Sequence, residues 1–419
     1  MRPYFFVLMT FLLFRGSTQG QPSTAARAPR QLLATIDSVL NGAVARGDIP
    51  GAVIQVKRDG QILYRQAYGY AQKYDYHHRL LAHPPRMDTT TLFDMASLTK
   101  VIGTTTSLML LVDKGLIRVD DPVSRYLPGF DSTGKRDITL RHLLTHTAGL
   151  TEWYPLFYRS AHRQSTYDQI ASLPLKYPVG ERRSYSDLGF MLLGEIVEKV
   201  SGLPLDQFEQ KFVFEPLGMR LTMYNPLKNG RTDRIAATSL GNPYEKRMVY
   251  DSTLGFSVKG LDPASWNGWR KYVLRGEVND GNAWYALDGI SGHAGLFSTV
   301  GDIQQLVDML LSRGQVQGRP FISAATLDSF FVEDRFHNGL GWMMDPANSF
   351  MKEGPPGTFG HTGFTGTSIA VVPQYNLSII LLINRQNMGL LPSGQYYNPN
   401  PLRQQIFTAV MNWCRQTSD

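Results

Sequence analysis

One octapeptide sets the architecture expected for this chain: Phe93-Asp94-Met95-Ala96-Ser97-Leu98-Thr99-Lys100. It runs into the apolar segment Val101 to Lys114, which Gly115 follows as a natural helix end. We therefore expect a buried helix that begins at Ser97 or Leu98. On such a helix the Ser97 hydroxyl and the Lys100 amine share one face, a turn apart.

A hydroxyl beside an amine is the arrangement that a lysine-activated serine nucleophile needs. A free serine is a poor nucleophile at neutral pH, and a desolvated amine can become the base that takes its proton. The alternative is that Ser97 is only the N-cap of the helix, because Ser-x-x-Lys also arises by chance. The dyad by itself leaves both interpretations open.

Strand patterns lie towards both ends of the chain. Ala52 to Val56 and Ile62 to Tyr70 flank an Asp-Gly pair and predict a hairpin. Further strand-like runs are Gly295 to Thr299, Gly339 to Met344, Thr367 to Val372 and Leu377 to Ile383. Helical spacing marks Arg30 to Arg46, Leu140 to Leu144, Tyr167 to Leu173, Leu188 to Val200, Leu205 to Phe212 and Pro401 to Cys414. We predict an α/β protein of the α+β type, with an antiparallel central sheet flanked by helices and a mostly helical inserted domain.

The first residues have the pattern of a secretory signal peptide. Met1 to Gln21 joins a basic start, the apolar run Phe5 to Phe14 and small residues near a plausible cleavage point. We predict a signal peptide over 1–20, a linker over 21–29, and an exported protein, periplasmic or secreted, with no transmembrane helix after signal removal. The remaining domain divides into a sheet subdomain, about 30–100 and 291–419, and a helical subdomain, about 101–290.

Composition narrows the class of partner. The chain has 419 residues, 42% hydrophobic, with a net charge of +7 and one cysteine, Cys414, so it cannot form an intrachain disulfide. No basic stripe of the nucleic-acid kind is present. His77-His78 lies on a loop without partners at metal-ligand spacing, so we expect neither a metal nor a cofactor. His146 and His293 are interpreted as structural hydrogen-bonders, with His293 near the cleft.

Two later segments carry polar residues where packing would not require them. Tyr185-Ser186-Asp187 directly precedes the apolar helix Leu188 to Val200, and His361-Thr362-Gly363 lies among glycines beside a strand-like run. A phenol beside an ammonium group has a lowered pKa, so Tyr185 could share the role of base with Lys100. Gly363 would let a substrate lie close to the strand backbone. Taken alone, Tyr185 could instead be a packed tyrosine and Asp187 a helix N-cap.

Three segments resemble, in this order, the motifs of the serine β-lactamase and penicillin-binding protein superfamily: Ser97-x-x-Lys100, Tyr185-Ser186-Asp187 and His361-Thr362-Gly363. The chain looks like the class C β-lactamases, DD-peptidases and related esterases from about residue 30 to 415. The resemblance implies that Ser97 forms an acyl-enzyme and that Lys100 and Tyr185 relay its proton. It also implies substrate binding by Asp187, His361, Thr362, Gly363 and Phe364, with the N–H groups of Ser97 and Phe364 as the oxyanion hole.

Two positions depart from the usual family pattern. His361 stands where β-lactamases and DD-peptidases usually have a lysine that holds the substrate carboxylate, and a histidine is only partly charged at neutral pH. Asp187 replaces the usual asparagine. It can keep Lys100 protonated, but it lacks an amide donor for a substrate carbonyl. Both changes point away from efficient β-lactam hydrolysis.

The function that we predict is an exported serine hydrolase that cleaves an ester or amide in a small-molecule or cell-wall peptide substrate. Two alternatives stay open: a peptidoglycan DD-peptidase or weak class C β-lactamase, and a non-catalytic module that binds cell-wall fragments. An α/β-hydrolase is disfavoured because Gly-x-Ser-x-Gly is missing, and a zinc hydrolase because His-Glu-x-x-His is missing. The loops Lys73 to Asp88 and Tyr154 to Ser165 are expected to shape substrate choice, and the oligomeric state stays open.

Overall fold

A computed structural model of the protein describes residues 30–132, 134–160 and 162–417. The predicted signal peptide and linker lie outside these residues. The strands are β1 (Gly51–Arg58), β2 (Gln61–Gly69), β3 (Phe93–Asp94), β4 (Met223–Tyr224), β5 (Ala237–Leu240), β6 (Val273–Arg275), β7 (Leu296–Ser298), β8 (Gln315–Val316), β9 (Arg319–Pro320), β10 (Phe359–Thr362), β11 (Ser368–Val372) and β12 (Leu377–Ile383). The α-helices are α1 (Arg30–Arg46), α2 (Thr106–Asp113), α3 (Leu140–Leu144), α4 (Arg163–Ser172), α5 (Asp187–Ser201), α6 (Leu205–Glu209), α7 (Glu215–Leu217), α8 (Pro243–Tyr250), α9 (Val300–Leu311), α10 (Ala324–Phe330) and α11 (Asn400–Gln416).

Strands from the two ends of the chain form one five-stranded sheet in the order β10-β11-β12-β1-β2. All four pairings are antiparallel, with Ile54 opposite Leu381 at the centre. Asp59 and Gly60 both have positive φ between β1 and β2, which is the conformation of a two-residue hairpin turn. The predicted hairpin and the mixture of helix and antiparallel sheet are confirmed.

Helices cover both faces of this sheet, which explains why its central strands are apolar nearly throughout. All residues of β12 are buried. On one face α1 and α11 pack together, burying Ile36 and Phe407 in one core cluster. On the other face α9 places Gln304 Oε1 2.8 Å from Gln55 Nε2 of β1. The larger core cluster continues from this face into the helical part of the chain.

Three details differ from the sequence-based expectations. Gly339 to Met344 does not form a strand, because its pairing stops at single bridges such as that between Met343 and Gly360. Leu296–Ser298 is a strand, but it belongs to a separate sheet of order β3-β7-β4. The helix expected from Ser97 or Leu98 begins as a 3₁₀ turn, Ala96–Leu98, and continues as a π-helical stretch, Lys100–Thr105, before α2.

No helix within the described ranges combines the length and the apolar character needed to cross a bilayer.

Gly115, at φ 66°, follows the end of α2 as predicted.

Candidate active site

Ser97 lies on a strained turn between two short regular elements. β3 pairs with β7 through Asp94 and Phe297, and the chain turns sharply directly after it. Ala96 has φ 45°, which costs a residue with a side chain about 1 kcal/mol or more. The Asp94 carboxylate holds this turn, because its Oδ1 accepts a hydrogen bond of 2.8 Å from the Ala96 N–H. The result is a serine presented at the start of a helix.

Lys100 is fully buried and joins three oxygen atoms. Its Nζ donates to Ser97 Oγ at 2.9 Å, to Asp187 Oδ1 at 2.7 Å and to the His293 carbonyl at 3.1 Å. Ser97 therefore does not cap the helix: the residue before the 3₁₀ turn is Met95, and no side chain caps it. The structure replaces the capping interpretation with a direct contact between hydroxyl and amine.

The ion pair with Asp187 fixes the charge of Lys100. Burial works to lower the pKa of Lys100, but the negative charge of Asp187, together with Tyr185, outweighs it and raises the pKa. The expectation that Asp187 keeps Lys100 protonated is thus supported. An ammonium that donates to Ser97 Oγ has no lone pair for the serine proton, so it must first lose a proton to act as base.

Tyr185 is the last residue but one before α5, and its ring lies over the amine. The ring centroid is 5.0 Å from Lys100 Nζ and 4.4 Å from the centroid of the His146 ring. Burial raises the pKa of Tyr185, and the attraction of Lys100 offsets this only in part. The expected lowering of that pKa is wrong, because removing the phenol from water outweighs the neighbouring ammonium. Tyr185 holds its proton at neutral pH.

Asp187 is the first residue of α5 rather than its N-cap, which is Ser186. A carboxylate in the first helical turn is favoured by the helix dipole. One oxygen each of Asp187 and Asp280 and a ring nitrogen of His293 lie within 4.8 Å of one another. The structure places His293 near the cleft, as expected, because its carbonyl contacts Lys100 and its ring belongs to this cluster.

His361 and its neighbours lie beside Tyr185, at the end of β10. The His361 ring is 6.1 Å from the Tyr185 ring and 2% of the residue is exposed. Its Nδ1–H donates to the Thr362 carbonyl at 2.9 Å. Burial, together with the charge of Lys100, lowers the pKa of His361 to about 3. The ring is therefore neutral at pH 7, rather than partly charged.

Close packing of the surrounding chain requires a glycine at position 363. A Cβ at this position would collide with the Met95 carbonyl oxygen and with Thr367 Oγ1. A glycine here allows the end of β10 to approach the turn that carries Ser97, and room for a substrate along the strand stays a prediction. The following residue, Phe364, is thereby brought to the same cavity as Ser97.

Two backbone donors belong to residues that line the same cavity, Ser97 and Phe364. Within the described part of the chain, neither the Ser97 N–H nor the Phe364 N–H has a hydrogen-bond partner. N–H groups in the first turn of a helix normally lack an intrahelical acceptor. These two donors match the pair that the motifs predicted for an oxyanion hole.

A cavity of about 280 Å³ opens beside Ser97. Of the predicted residues, Ser97, Tyr185, Asp187 and Phe364 line it, whereas Lys100, His361, Thr362 and Gly363 are not part of the lining. The lining residues that the sequence did not reveal are Ala96, Glu152, Trp153, Tyr244, Glu245, Met248, Phe256, Asn279, Asp280 and Ala294. They come from loops and from α8, and no local pattern marks them. Neither loop expected to shape substrate choice, Lys73 to Asp88 or Tyr154 to Ser165, contributes to this lining.

Comparison with known proteins places this geometry in a family. The family model described as Beta-lactamase matches residues 36–396. The chain belongs to the Beta-lactamase family. It is a serine hydrolase of the β-lactamase and penicillin-binding protein fold, as the order of the three motifs predicted.

Relatives support the family over most of the chain, and a solved structure shares the fold. An N-acetylmuramyl-L-alanine amidase of Bacillus subtilis (strain 168) is 35% identical over 88% of this chain and 84% of the relative. A protein of Salmonella typhimurium (strain LT2), provisionally named as a D-alanyl-D-alanine carboxypeptidase, is 33% identical over 93% of this chain and 95% of its own length. The octameric penicillin-binding protein homologue of Pyrococcus abyssi shares the fold, with a TM-score of 0.66 at 20% identity over 91% of this chain and 77% of that one.

Proposed function

We propose that this protein hydrolyses an ester or amide through an acyl-enzyme on Ser97, and that its substrate has no free carboxylate at the cleaved end. The observation that carries the proposal is the hydrogen bond of 2.9 Å between Lys100 Nζ and Ser97 Oγ, beside the unpartnered N–H groups of Ser97 and Phe364. Ser97 and Phe364, which carry the hydroxyl and the two oxyanion donors, line one cavity, and the buried Lys100 amine contacts the Ser97 hydroxyl.

The proposed acylation and deacylation steps need only the groups of this site and water. Once Lys100 or Tyr185 has lost a proton to solvent, it takes the Ser97 hydroxyl proton while Oγ attacks the substrate carbonyl carbon. The two N–H groups stabilise the oxyanion, and the relayed proton passes to the leaving oxygen or nitrogen as its bond to carbon breaks. Water then attacks the acyl-enzyme, gives its proton to the same base, and Ser97 Oγ leaves with that proton.

The charge of the site supports the restriction on substrate. The residue in the position of the carboxylate-binding lysine, His361, is neutral because its pKa is lowered to about 3. The lining of the cavity contains neither lysine nor arginine. A substrate that ends in a carboxylate would therefore lose its hydration without gaining an ion pair.

A second candidate, a peptidoglycan peptidase or amidase, is favoured by the relatives. The Salmonella relative is provisionally named as a D-alanyl-D-alanine carboxypeptidase, and the Bacillus relative as an N-acetylmuramyl-L-alanine amidase. A cell-wall peptide as substrate accords with these names. The non-catalytic binding module is disfavoured, because Ser97, Lys100 and Tyr185 are assembled at contact distance.

The experiment compares purified wild type with Ser97→Ala on 4-nitrophenyl acetate, a chromogenic cephalosporin, an N-acetylmuramyl-L-alanine peptide and a peptide ending in D-Ala-D-Ala. We expect hydrolysis of the acetate ester that depends on Ser97 and exceeds D-alanine release and cephalosporin opening. Faster D-alanine release or muramyl-peptide cleavage would establish the second candidate instead. No hydrolysis of any of the four would contradict catalysis itself.

Export to the periplasm or the medium is part of the proposal and rests on residues 1–20 of the sequence. Expression of the full chain in a bacterial host, followed by fractionation and N-terminal sequencing, tests it. We expect a shortened chain outside the cytoplasm, and an intact N-terminus in the cytoplasm would contradict export.

A further inference from the structure

The Phe364 N–H belongs to a tight turn, residues 363–367, that connects β10 to β11. Within this turn the Gly363 N–H donates to the Thr367 carbonyl at 2.8 Å, and the Gly366 N–H donates to the Gly363 carbonyl at 3.0 Å. A peptide group is planar, so the bond at the Gly363 carbonyl also orients the Phe364 N–H on the opposite side of the same plane. The direction of this donor therefore depends on how the 363–367 turn is held.

Two threonine hydroxyls tie the 363–367 turn to the chain that precedes Ser97. Thr365 Oγ1 donates to the Asp94 carbonyl at 2.7 Å, and Thr367 Oγ1 donates to the Met95 carbonyl at 3.2 Å. Both threonines are buried, so water does not compete for these bonds. The turn that carries the Phe364 N–H and the turn that carries Ser97 are thereby joined directly.

An arginine holds the 363–367 turn from a third element. Arg385 begins the 3₁₀ helix Arg385–Met388, shortly after β12. Its Nε and Nη2 donate to the Phe364 carbonyl at 3.0 and 2.7 Å, and its guanidinium carbon lies 5.2 Å from the centroid of the Phe364 ring. Its remaining nitrogen, Nη1, donates to the Tyr397 carbonyl. All three nitrogens of Arg385 are thus engaged by backbone carbonyls, which leaves the group to the turn and not to a substrate carboxylate.

A second arginine contacts the end of the same turn. Arg403 of α11 is 5% exposed, and its Nη2 donates to the Thr367 carbonyl at 2.9 Å. Burial lowers the pKa of Arg385 to about 10 and that of Arg403 to about 9, so both groups stay charged at pH 7. In the described part of the chain, neither guanidinium pairs with a carboxylate.

Cations without a counter-ion at this turn have an electrostatic consequence. Removing a guanidinium from water without pairing it costs free energy, so packing alone does not explain an arginine at position 385. Positive charge beside the donors of an oxyanion hole has the sign that stabilises the oxyanion.

From these contacts we infer that Arg385 and Thr365 are positioning residues for the oxyanion hole, which together hold the Phe364 N–H in register with the Ser97 N–H. The inference rests on the proposed function and adds residues outside its motifs. The alternative is that both side chains only stabilise the turn. The two roles are separable, because an oxyanion forms only after substrate has bound, so a displaced donor lowers kcat and leaves KM nearly unchanged.

The test measures hydrolysis of 4-nitrophenyl acetate by Arg385→Met, which removes the donors and the charge and keeps an apolar stem. Fluorophosphonate labelling, run to completion, counts the competent sites, so kcat refers to folded enzyme. We expect kcat to fall about thirtyfold or more, with KM within about twofold of the wild type. Arg385→Lys keeps a cationic donor and should retain more of kcat than Arg385→Met.

Arg275→Met is the matched control. Arg275 also donates through Nε and Nη2 to backbone carbonyls, those of Ile235 at 3.0 Å and Thr232 at 2.9 Å, and it does not line the cavity. We expect this variant to keep the wild-type kcat and KM.

Four results would overturn the inference: wild-type kcat in Arg385→Met, a loss of kcat that Arg275→Met shares, a rise in KM as large as the fall in kcat, or no recovery in Arg385→Lys. If Arg385→Met does not fold, Thr365→Val decides, because it removes only the hydroxyl that donates to Asp94. It should lower kcat at unchanged KM, and wild-type kcat would again overturn the inference. Unaffected variants beside hydrolysis that depends on Ser97 would leave the proposed function standing, whereas hydrolysis independent of Ser97 would remove both.

Discussion

Lys100 Nζ lies 2.7 Å from Asp187 Oδ1 and 2.9 Å from Ser97 Oγ, so a single ammonium connects the Ser97 hydroxyl to the carboxylate that holds this ammonium in its charged state. The two contacts have opposite consequences. The contact with Ser97 places the amine where a base is needed, while the contact with Asp187 keeps a proton on it. Both candidate bases are thus protonated at neutral pH, and we expect activity to depend on the removal of one proton.

Replacing the nucleophile should abolish the chemistry and leave the fold intact. We expect Ser97→Ala to lose labelling by a serine-reactive fluorophosphonate probe and to lose turnover by about a thousandfold or more, because Oγ forms the covalent bond. Gel fluorescence and the thermal midpoint measure the two effects. Ser132→Ala, at an exposed position, should label like the wild type. Undiminished labelling of Ser97→Ala would remove Ser97 from its role.

Tyr185→Phe should lower kcat by about a hundredfold, the usual size of a proton-relay contribution, with little change in the free energy of unfolding. The ring and its contact with His146 remain, and only the phenolic hydroxyl is lost. Steady-state kinetics on 4-nitrophenyl acetate and urea unfolding are the measurements. Tyr250→Phe, at an exposed tyrosine, is the control. Wild-type kcat in Tyr185→Phe would leave Lys100 as the only base among the predicted residues.

The pH profile follows from the protonated resting site. The pKa of Lys100 is raised by Asp187, and that of Tyr185 is raised by burial, so both candidate bases gain their active form only as the pH rises. We therefore expect kcat/KM to increase with pH above neutrality. The negative charge of Asp187 raises the pKa of both groups, so Asp187→Asn should move the rising limb to lower pH. A limb that stays in place or moves to higher pH would contradict this account, and Asp328→Asn again serves as control.

The contact at Gly363 predicts a loss of both stability and activity. In Gly363→Ala the new methyl group would push against the Met95 carbonyl, so we expect a destabilisation of about 2 kcal/mol or more. The same push moves the Phe364 N–H away from Ser97 and should lower kcat. Gly301→Ala is the matched control, because its Cβ would meet nothing closer than Thr299 Oγ1 at 3.7 Å. Equal behaviour of the two variants in urea unfolding and kinetics would show that the close approach is unimportant.

His361 makes the fold sensitive to acid. Its pKa is about 3 when folded, because of burial and Lys100, against about 6.5 in the unfolded chain. Below pH 6.5 the unfolded state binds a proton at His361 that the folded state does not bind. The contribution of His361 to the free energy of unfolding is therefore fully present above this pH and is lost as the pH is lowered towards 3. Between pH 7 and pH 5, we expect the free energy of unfolding of His361→Gln to fall by about 2 kcal/mol less than that of the wild type. His83→Gln, at an exposed histidine, should follow the wild type in urea unfolding at both pH values, and a parallel response of His361→Gln would refute a buried neutral ring.

Local patterns were sufficient for most of the elements and for the family. The Asp59-Gly60 pair marked its hairpin because only residues that accept positive φ fit that turn. Ser97, Lys100, Tyr185 and Phe364 stood in short motifs whose order identified the family. Gly339 to Met344 failed as a strand prediction because an apolar run alone does not supply a pairing partner.

The sequence by itself determined the antiparallel sheet built from both chain ends and the family, and it predicted Ser97 as the nucleophile, because these depend on periodicity, turn residues and motif order along the chain. Tertiary structure alone decided the state of the site. The burial that raises the pKa of Tyr185 and lowers that of His361 comes from elements far apart in sequence, and so does the meeting of Asp187, Asp280 and His293. Desolvation and charge depend on distance in space, and this distance cannot be read from spacing along the chain.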